Sequence, residues 1–177
     1  MKKLFVLLFV VSLNVWAFDY NPWVLFKKIQ ASRSFAKKDY EQAKKNTQEL
    51  ITHNPHDAES LYNAGKASYA LNDFKQAEHY FDAAVQEFSL PELKKRSFFD
   101  KGNSQLQQQE LERALESYKK VVELDPHHEK APEMIKKIEE ELEKKKQQNQ
   151  EQENQDQHNK NSQNQQKSGN KNDQQKD

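Results

Sequence analysis

The sequence predicts an all-α fold, a short stack of helical hairpins, on three observations. Matching residues recur at a fixed interval: Ala43 and Ala77 are 34 apart, and each lies three residues after an aromatic, Tyr40 or Phe74, that itself follows an aspartate. Apolar residues within the repeating stretch fall at helical spacing, as Ala77, Phe81, Ala84 and Val85 do at i, i+4, i+7 and i+8. The apolar residues are also confined along the chain: residues 1–17 hold 13, residues 18–142 hold 47 and residues 143–177 hold none. Only the middle segment can bury a core, and its length suits one domain.

Residues 1–17 read as a secretory leader. Lys2 and Lys3 precede an unbroken apolar run from Leu4 to Val11, and Val15 and Ala17 stand at −3 and −1 of a cut after Ala17. The competing reading is a retained membrane anchor over residues 4–18. That stretch is about 22 Å of helix against roughly 30 Å of hydrocarbon. Cleavage after Ala17 and export to a periplasm is the expected outcome, with anchoring to the inner membrane as the alternative.

Three repeat units follow, over residues 24–57, 58–91 and 95–128. The middle one is the most complete. Leu61 to Leu71 is a helical stretch with small residues on one face, Asn72-Asp73 breaks it, and Phe74 to Phe88 is a second helix. Ser89 stands where a proline would end the unit, so this second helix is expected to run on by a few residues. Residues 92–94 are a three-residue insertion, which explains why Gly65 and Gly102 are 37 apart. In the first unit, Ala31 replaces the glycine, Thr47 an aromatic and Leu50 an alanine. Residues 129–146 form a capping helix with Ala131, Met134, Ile135, Ile138 and Leu142 on one stripe and Pro132 in its first turn. Residues 147–177 carry 11 Gln and 7 Asn in 31 positions. Without apolar side chains to offset ordering entropy, this tail is expected to be disordered.

These units resemble the tetratricopeptide (TPR) repeat. The middle unit supplies Leu61, Ala64-Gly65, Ala77, Phe81 and Ala84. The third supplies Phe98, Gly102, Ala114, Tyr118, Val121 and Pro126, and the first keeps Ala43 and Pro55. The resemblance implies a solenoid of three hairpins closed by the capping helix. Small residues there let paired helices approach within about 8–9 Å, and one hairpin cannot bury its own apolar face, so neighbours stack.

Little in the sequence points to catalysis. There is no cysteine, so no thiol chemistry and no zinc–thiolate site. No His-Glu-x-x-His, phosphate-binding glycine loop or Gly-x-Ser-x-Gly elbow is present. The pairs His53/His56 and His127/His128 fall in the turns that close repeats and read as exposed polar turn residues. No enzyme activity, metal or cofactor is expected. With 28 basic and 28 acidic residues interspersed, no basic stripe suits nucleic acid.

What the resemblance implies instead is protein binding on the concave face formed by the first helix of each hairpin. The residues placed there are Lys28 and Phe35 in the first unit, Tyr62, Asn63, Lys66 and Tyr69 in the second, and Phe99 and Asn103 in the third. Aromatic rings, cations and amides together suit an extended peptide or a partner helix. Some TPR domains clamp the C-terminal carboxylate of heat-shock chaperones. Lys28 and Asn63 match that clamp and Arg96 matches loosely, but Ser32 and Asp100 do not, so that ligand is not expected.

The order of leader, Phe18-Asp19-Tyr20-Asn21-Pro22-Trp23 lead, Gly102-Asn103 in the last repeat, charged helix and Gln/Asn tail resembles the exported TPR proteins of bacterial aerotolerance (Bat) operons. That resemblance implies an envelope scaffold assembling with membrane-tethered von Willebrand factor A domain proteins. The other readings are a periplasmic adaptor for envelope assembly or secretion, and a structural surface protein acting through its tail. Membrane contact is expected only if the leader is retained.

Overall fold

The computed structural model describes residues 21–172. Among them are seven helices and no strand: α1 (Pro22–Ala36), α2 (Tyr40–His53), α3 (Ala58–Ala70), α4 (Phe74–Glu87), α5 (Pro91–Gln107), α6 (Leu111–Leu124) and α7 (Ala131–Asn172). The predicted leader, its cleavage site and the alternative anchor at 4–18 lie outside the described residues. Each helix packs on the next in chain order, and α3 also touches α5. The result is three hairpins, α1–α2, α3–α4 and α5–α6, with α7 laid against the last.

The turn inside each hairpin is built the same way. Lys38, Asn72 and Gln109 have left-handed backbones, with φ of 58°, 61° and 61°. The next residue then donates its N–H back over the turn: Asp39 to the Ser34 carbonyl, Asp73 to Ser68 and Glu110 to Gln105, each at 2.9 Å. This is the bond pattern that satisfies the orphan carbonyls of a helix end. In the first two hairpins the same aspartate starts the next helix. Asp39 accepts from the Gln42 N–H at 3.1 Å and Asp73 from Gln76 at 3.3 Å. The Asp-aromatic signature that reveals the repeat is therefore a helix cap followed by the first helical residue.

Packing between paired helices rests on a size exchange. A Cβ on Gly65 would stand 2.7 Å from the Phe81 ring, and one on Gly102 would stand 3.0 Å from the Tyr118 ring. Both rings are buried, at 1% and 0% exposure. At the corresponding places in the first hairpin, Ala31 has the extra methyl and Thr47 lacks the ring, and both are buried. The two departures from the repeat pattern thus compensate each other. Ala43, Ala77 and Ala114 are fully buried, where any larger side chain would part the helices. At the far end, Ala131 and Ile138 of α7 join Leu111, Tyr118 and Val121 in one cluster, with Met134, Ile135 and Leu142 packed against it.

Three expectations change. The second helix of the middle unit does not run on: α4 ends at Glu87, with Phe88 extended at φ −70°, ψ 128°. The inserted residues instead lengthen α5, which starts at Pro91 because proline fits a first helical turn. The capping helix begins at Ala131 rather than 129. The His128 ring accepts there from the Lys130 and Ala131 N–H groups through Nδ1, at 3.3 and 3.1 Å. A histidine expected to be only an exposed turn residue is the cap of α7. The same helix is drawn on to Asn172. Its side chains from 143 to 152 are exposed.

Candidate functional site

The first helices α1, α3 and α5 set their side chains along one side of the stack, and two clefts open there. One, of about 390 Å³, is lined by Phe35, Tyr40, Lys66, Tyr69, Ala70, Phe81, Asp100 and Asn103. The other, of about 400 Å³, is lined by Glu59, Tyr62, Asn63, Lys66, Phe88, Leu93 and Arg96. Lys66 belongs to both. Its amine lies over the Phe35 ring at 5.3 Å and near the Tyr62 ring at 5.7 Å, while the Arg96 guanidinium lies 5.4 Å from the Tyr62 ring.

Asp100 is a half-buried charge under this surface. The Tyr62 hydroxyl donates to it at 2.7 Å, and the Asn103 amide approaches at 3.5 Å. Burial pushes its carboxyl above the ordinary range. The bond from Tyr62 and the nearby Lys66, Asn103 and Arg96 hold the rise in check. Burial, with Asp100 beside it, also pushes the Tyr62 phenol well above its usual value. Asn103 in turn accepts from the Tyr118 hydroxyl at 2.7 Å, so a polar chain crosses from α3 through α5 to α6.

The eight residues placed on this face therefore have different parts. Phe35, Lys66, Tyr69 and Asn103 meet in the first cleft, and Tyr62, Asn63 and Lys66 in the second. Tyr69 stacks edge-on against Phe74 with centroids 5.3 Å apart, which fixes the wall it presents. Tyr62 is half interior: its ring also packs on Phe81 and Phe88. Lys28 and Phe99 line neither cleft. The Lys28 amine is held by Glu59 at 2.8 Å and Asp57 at 3.1 Å. Burial pulls its pKa down, but the bonds to Glu59 and Asp57 outweigh that and raise it. Phe99 packs edge-on against Tyr118 and tilted against His128, with ring centroids 5.4 and 5.1 Å away. Phe88 and Leu93 are lining residues that the repeat pattern does not mark, and Tyr40, which it marks only as the aromatic that opens α2, is a third. Leu93 lies in the insertion that lengthens α5.

A larger opening, about 680 Å³, lies between α4, α5 and α6 among Asp73, Gln76, Glu78, His79, Asp82, Lys101 and Arg113. Lys75 also lines it and has no ion-pair partner among the described residues, but its three carboxylates and its other two cations are engaged. Lys101 pairs with Asp82 at 2.5 Å, and buried Glu78 accepts from Arg113, from Gln105 at 2.9 Å and from Gln108 at 3.1 Å. It has no aromatic wall, and the volume alone gives it no ligand. Among the described residues, no three His, Asp or Glu side chains converge as metal ligands. No described helix is long and apolar enough to cross a membrane.

Comparison with known proteins agrees with this architecture. The tetratricopeptide repeat family matches residues 30–90 and 62–129. The first TPR domain of Spaghetti (RPAP3), solved with the HSP90 peptide SRMEEVD, superposes with a TM-score of 0.63 at 23% identity, over 70% of this chain and 95% of that one. The TPR2B domain of yeast Sti1, in a pHsp70 complex, gives 0.61 at 20% identity, over 68% and 99%. The Yersinia enterocolitica type III secretion chaperone SycD, in complex with a peptide of the translocator YopD, gives 0.63 at 18%, over 70% and 98%. With its three stacked hairpins, shared turn geometry and matched repeats, the chain belongs to the tetratricopeptide repeat family, a non-catalytic protein-interaction fold.

Proposed function

We propose that the chain is an exported adaptor of the bacterial envelope that holds an internal segment of a partner protein in the groove of α1, α3 and α5. The observation that carries this is Lys66. It is exposed, has no ion-pair partner among the described residues, and stands between two aromatic-walled clefts. Arg96 beside it is likewise exposed and unpaired among those residues. Such a surface favours a segment with apolar anchors on either side of an acidic residue. Peptides held by the RPAP3, Sti1 and SycD domains support the reading that this groove is occupied.

A C-terminal carboxylate is the less suitable ligand. Lys28 is already neutralised by Glu59 and Asp57, and Asp100 puts a negative charge beneath the groove. An internal segment has no terminal charge to set against Asp100. The sequence order resembling the aerotolerance-operon TPR proteins supports membrane-tethered von Willebrand factor A domain proteins as the partner class, with the leader directing the chain to the periplasm. A photoreactive residue at Tyr69, crosslinked in whole cells and read by mass spectrometry, tests this. An adduct with an exported or membrane-tethered protein is expected. Adducts from a probe in the Gln/Asn tail, with none from position 69, contradict it.

A further inference from the structure

α1 has two apolar faces, and only one is used inside the stack. Ala31 and Ser34 are buried toward the body, whereas Leu25, Phe26 and Ile29 are 44%, 54% and 41% exposed. Trp23, at 39%, flanks them and rests edge-on against His53 at 5.3 Å. Along the helix, Leu25, Ile29 and Ala36 follow at i, i+4 and i+11, and Phe26, Arg33 and Lys37 at i, i+7 and i+11, so these residues share one broad face.

The repeat itself shows what this face is not shaped for. The residues of α3 and α5 corresponding to Phe26 are Ser60 and Ser97, at 1% and 0% exposure. Those corresponding to Arg33 are Ala67 and Ser104, both at 0%. Small side chains at those positions go with the close approach of a preceding hairpin. α1 carries a phenyl ring and a guanidinium there, so its face is not cut to receive another hairpin, from this chain or from a second copy.

Its charge points to the occupant. α1 contains no acidic residue, and its basic residues are Lys27, Lys28 and Arg33. Lys27 and Lys28 are spent on Glu49, Asp57 and Glu59, but Arg33 and the following Lys37 are exposed and have no ion-pair partner among the described residues. Unpaired cations beside a row of large apolar side chains suit an anionic lipid surface, which makes no demand on shape. In the sequence, four residues separate the apolar segment read as a leader, 1–17, from Pro22. On the reading that residues 1–17 are an export leader, on which this step rests, α1 is the first described helix after the segment that meets the bilayer. We infer that the outer face of α1 is a membrane-contact surface that rests Leu25, Phe26 and Ile29 in the interface of an anionic bilayer, with Arg33 and Lys37 at its headgroups. This surface is separate from the groove and does not depend on its ligand.

The absence of cysteine makes a single-site probe clean. Full chains with Phe26→Cys, or with Glu112→Cys on α6 as control, are made in a cell-free reaction with vesicles and labelled with an environment-sensitive fluorophore. On vesicles of phosphatidylcholine with phosphatidylglycerol, the label at 26 should brighten severalfold and shift to the blue while the label at 112 stays unchanged. Pure phosphatidylcholine, or Arg33→Glu with Lys37→Glu, should remove most of that response. All four positions are exposed, so these variants keep the fold. A label at 26 that stays in water, or responds equally on neutral vesicles, overturns the inference. A response that appears only at high chain density overturns it in favour of contact with a second copy.

Discussion

The ring of Phe81 on α4 lies 2.7 Å from the point where a Cβ on Gly65 of α3 would stand. The middle hairpin closes on that ring because nothing projects from Gly65. Gly65→Ala would gain about 1 kcal/mol of helix propensity but push a buried ring, and overpacking costs about 1–3 kcal/mol. A net loss of stability is expected, read by denaturant unfolding. Gly102→Ala meets Tyr118 at 3.0 Å and should lose less. Equal effects at the two sites would mean that the close approach is not what requires glycine.

The turn residue Gln109 should be improvable. It sits at φ 61° without being glycine. The left-handed backbone costs a residue with a Cβ about 1–2 kcal/mol, partly offset by the greater freedom that glycine brings to the unfolded chain. Gln109→Gly is expected to raise the melting temperature by a few degrees, and Lys38→Gly likewise. A fall at both sites would contradict the turn geometry.

Folding raises the pKa of Asp100, because burial outweighs the donors around it. A carboxyl raised in this way costs stability while ionised. That cost is present above the folded pKa and fades as pH falls through it toward the unfolded value. Asp100→Asn keeps an acceptor for Tyr62 and removes the charge. At pH 7 the variant should be at least as stable as the wild type, and its advantage should shrink on acidification. An advantage that grows in acid would reverse the assignment.

Truncation after Lys146 should leave the melting temperature within error. The last apolar residues packed on the core, Ile138 and Leu142, precede the cut, and residues 143–152 are exposed. Helical signal should fall only by the helix removed. A large loss of stability would show that the tail docks on the domain.

The hairpins were legible because their spacing and small residues are local consequences of packing: Gly65, Ala77 and Phe81 mark the helix contact in one dimension. The first cleft was partly legible for the same reason, since Phe35, Lys66 and Tyr69 follow from helical position. Two kinds of feature were not. Ser89 suggested a longer α4, but the insertion was absorbed at the other end, where Pro91 could start a helix. Lys28 and Tyr62 read as free groove residues, yet their partners Glu59 and Asp100 stand 31 and 38 positions away. Such pairs depend on how the hairpins register, which no single repeat encodes.

The most direct test of the groove is the affinity of the partner recovered by crosslinking, measured by calorimetry against three proteins. They are the wild type, a variant with Tyr69→Ala and Lys66→Glu, and the chain truncated after Lys146. Losing an aromatic anchor at an interface costs about 2 kcal/mol or more, roughly thirtyfold in Kd. The groove variant should therefore bind at least that much more weakly with its circular dichroism unchanged, and the truncated chain should bind like the wild type. Wild-type affinity in the groove variant together with lost binding in the truncated chain would contradict the account.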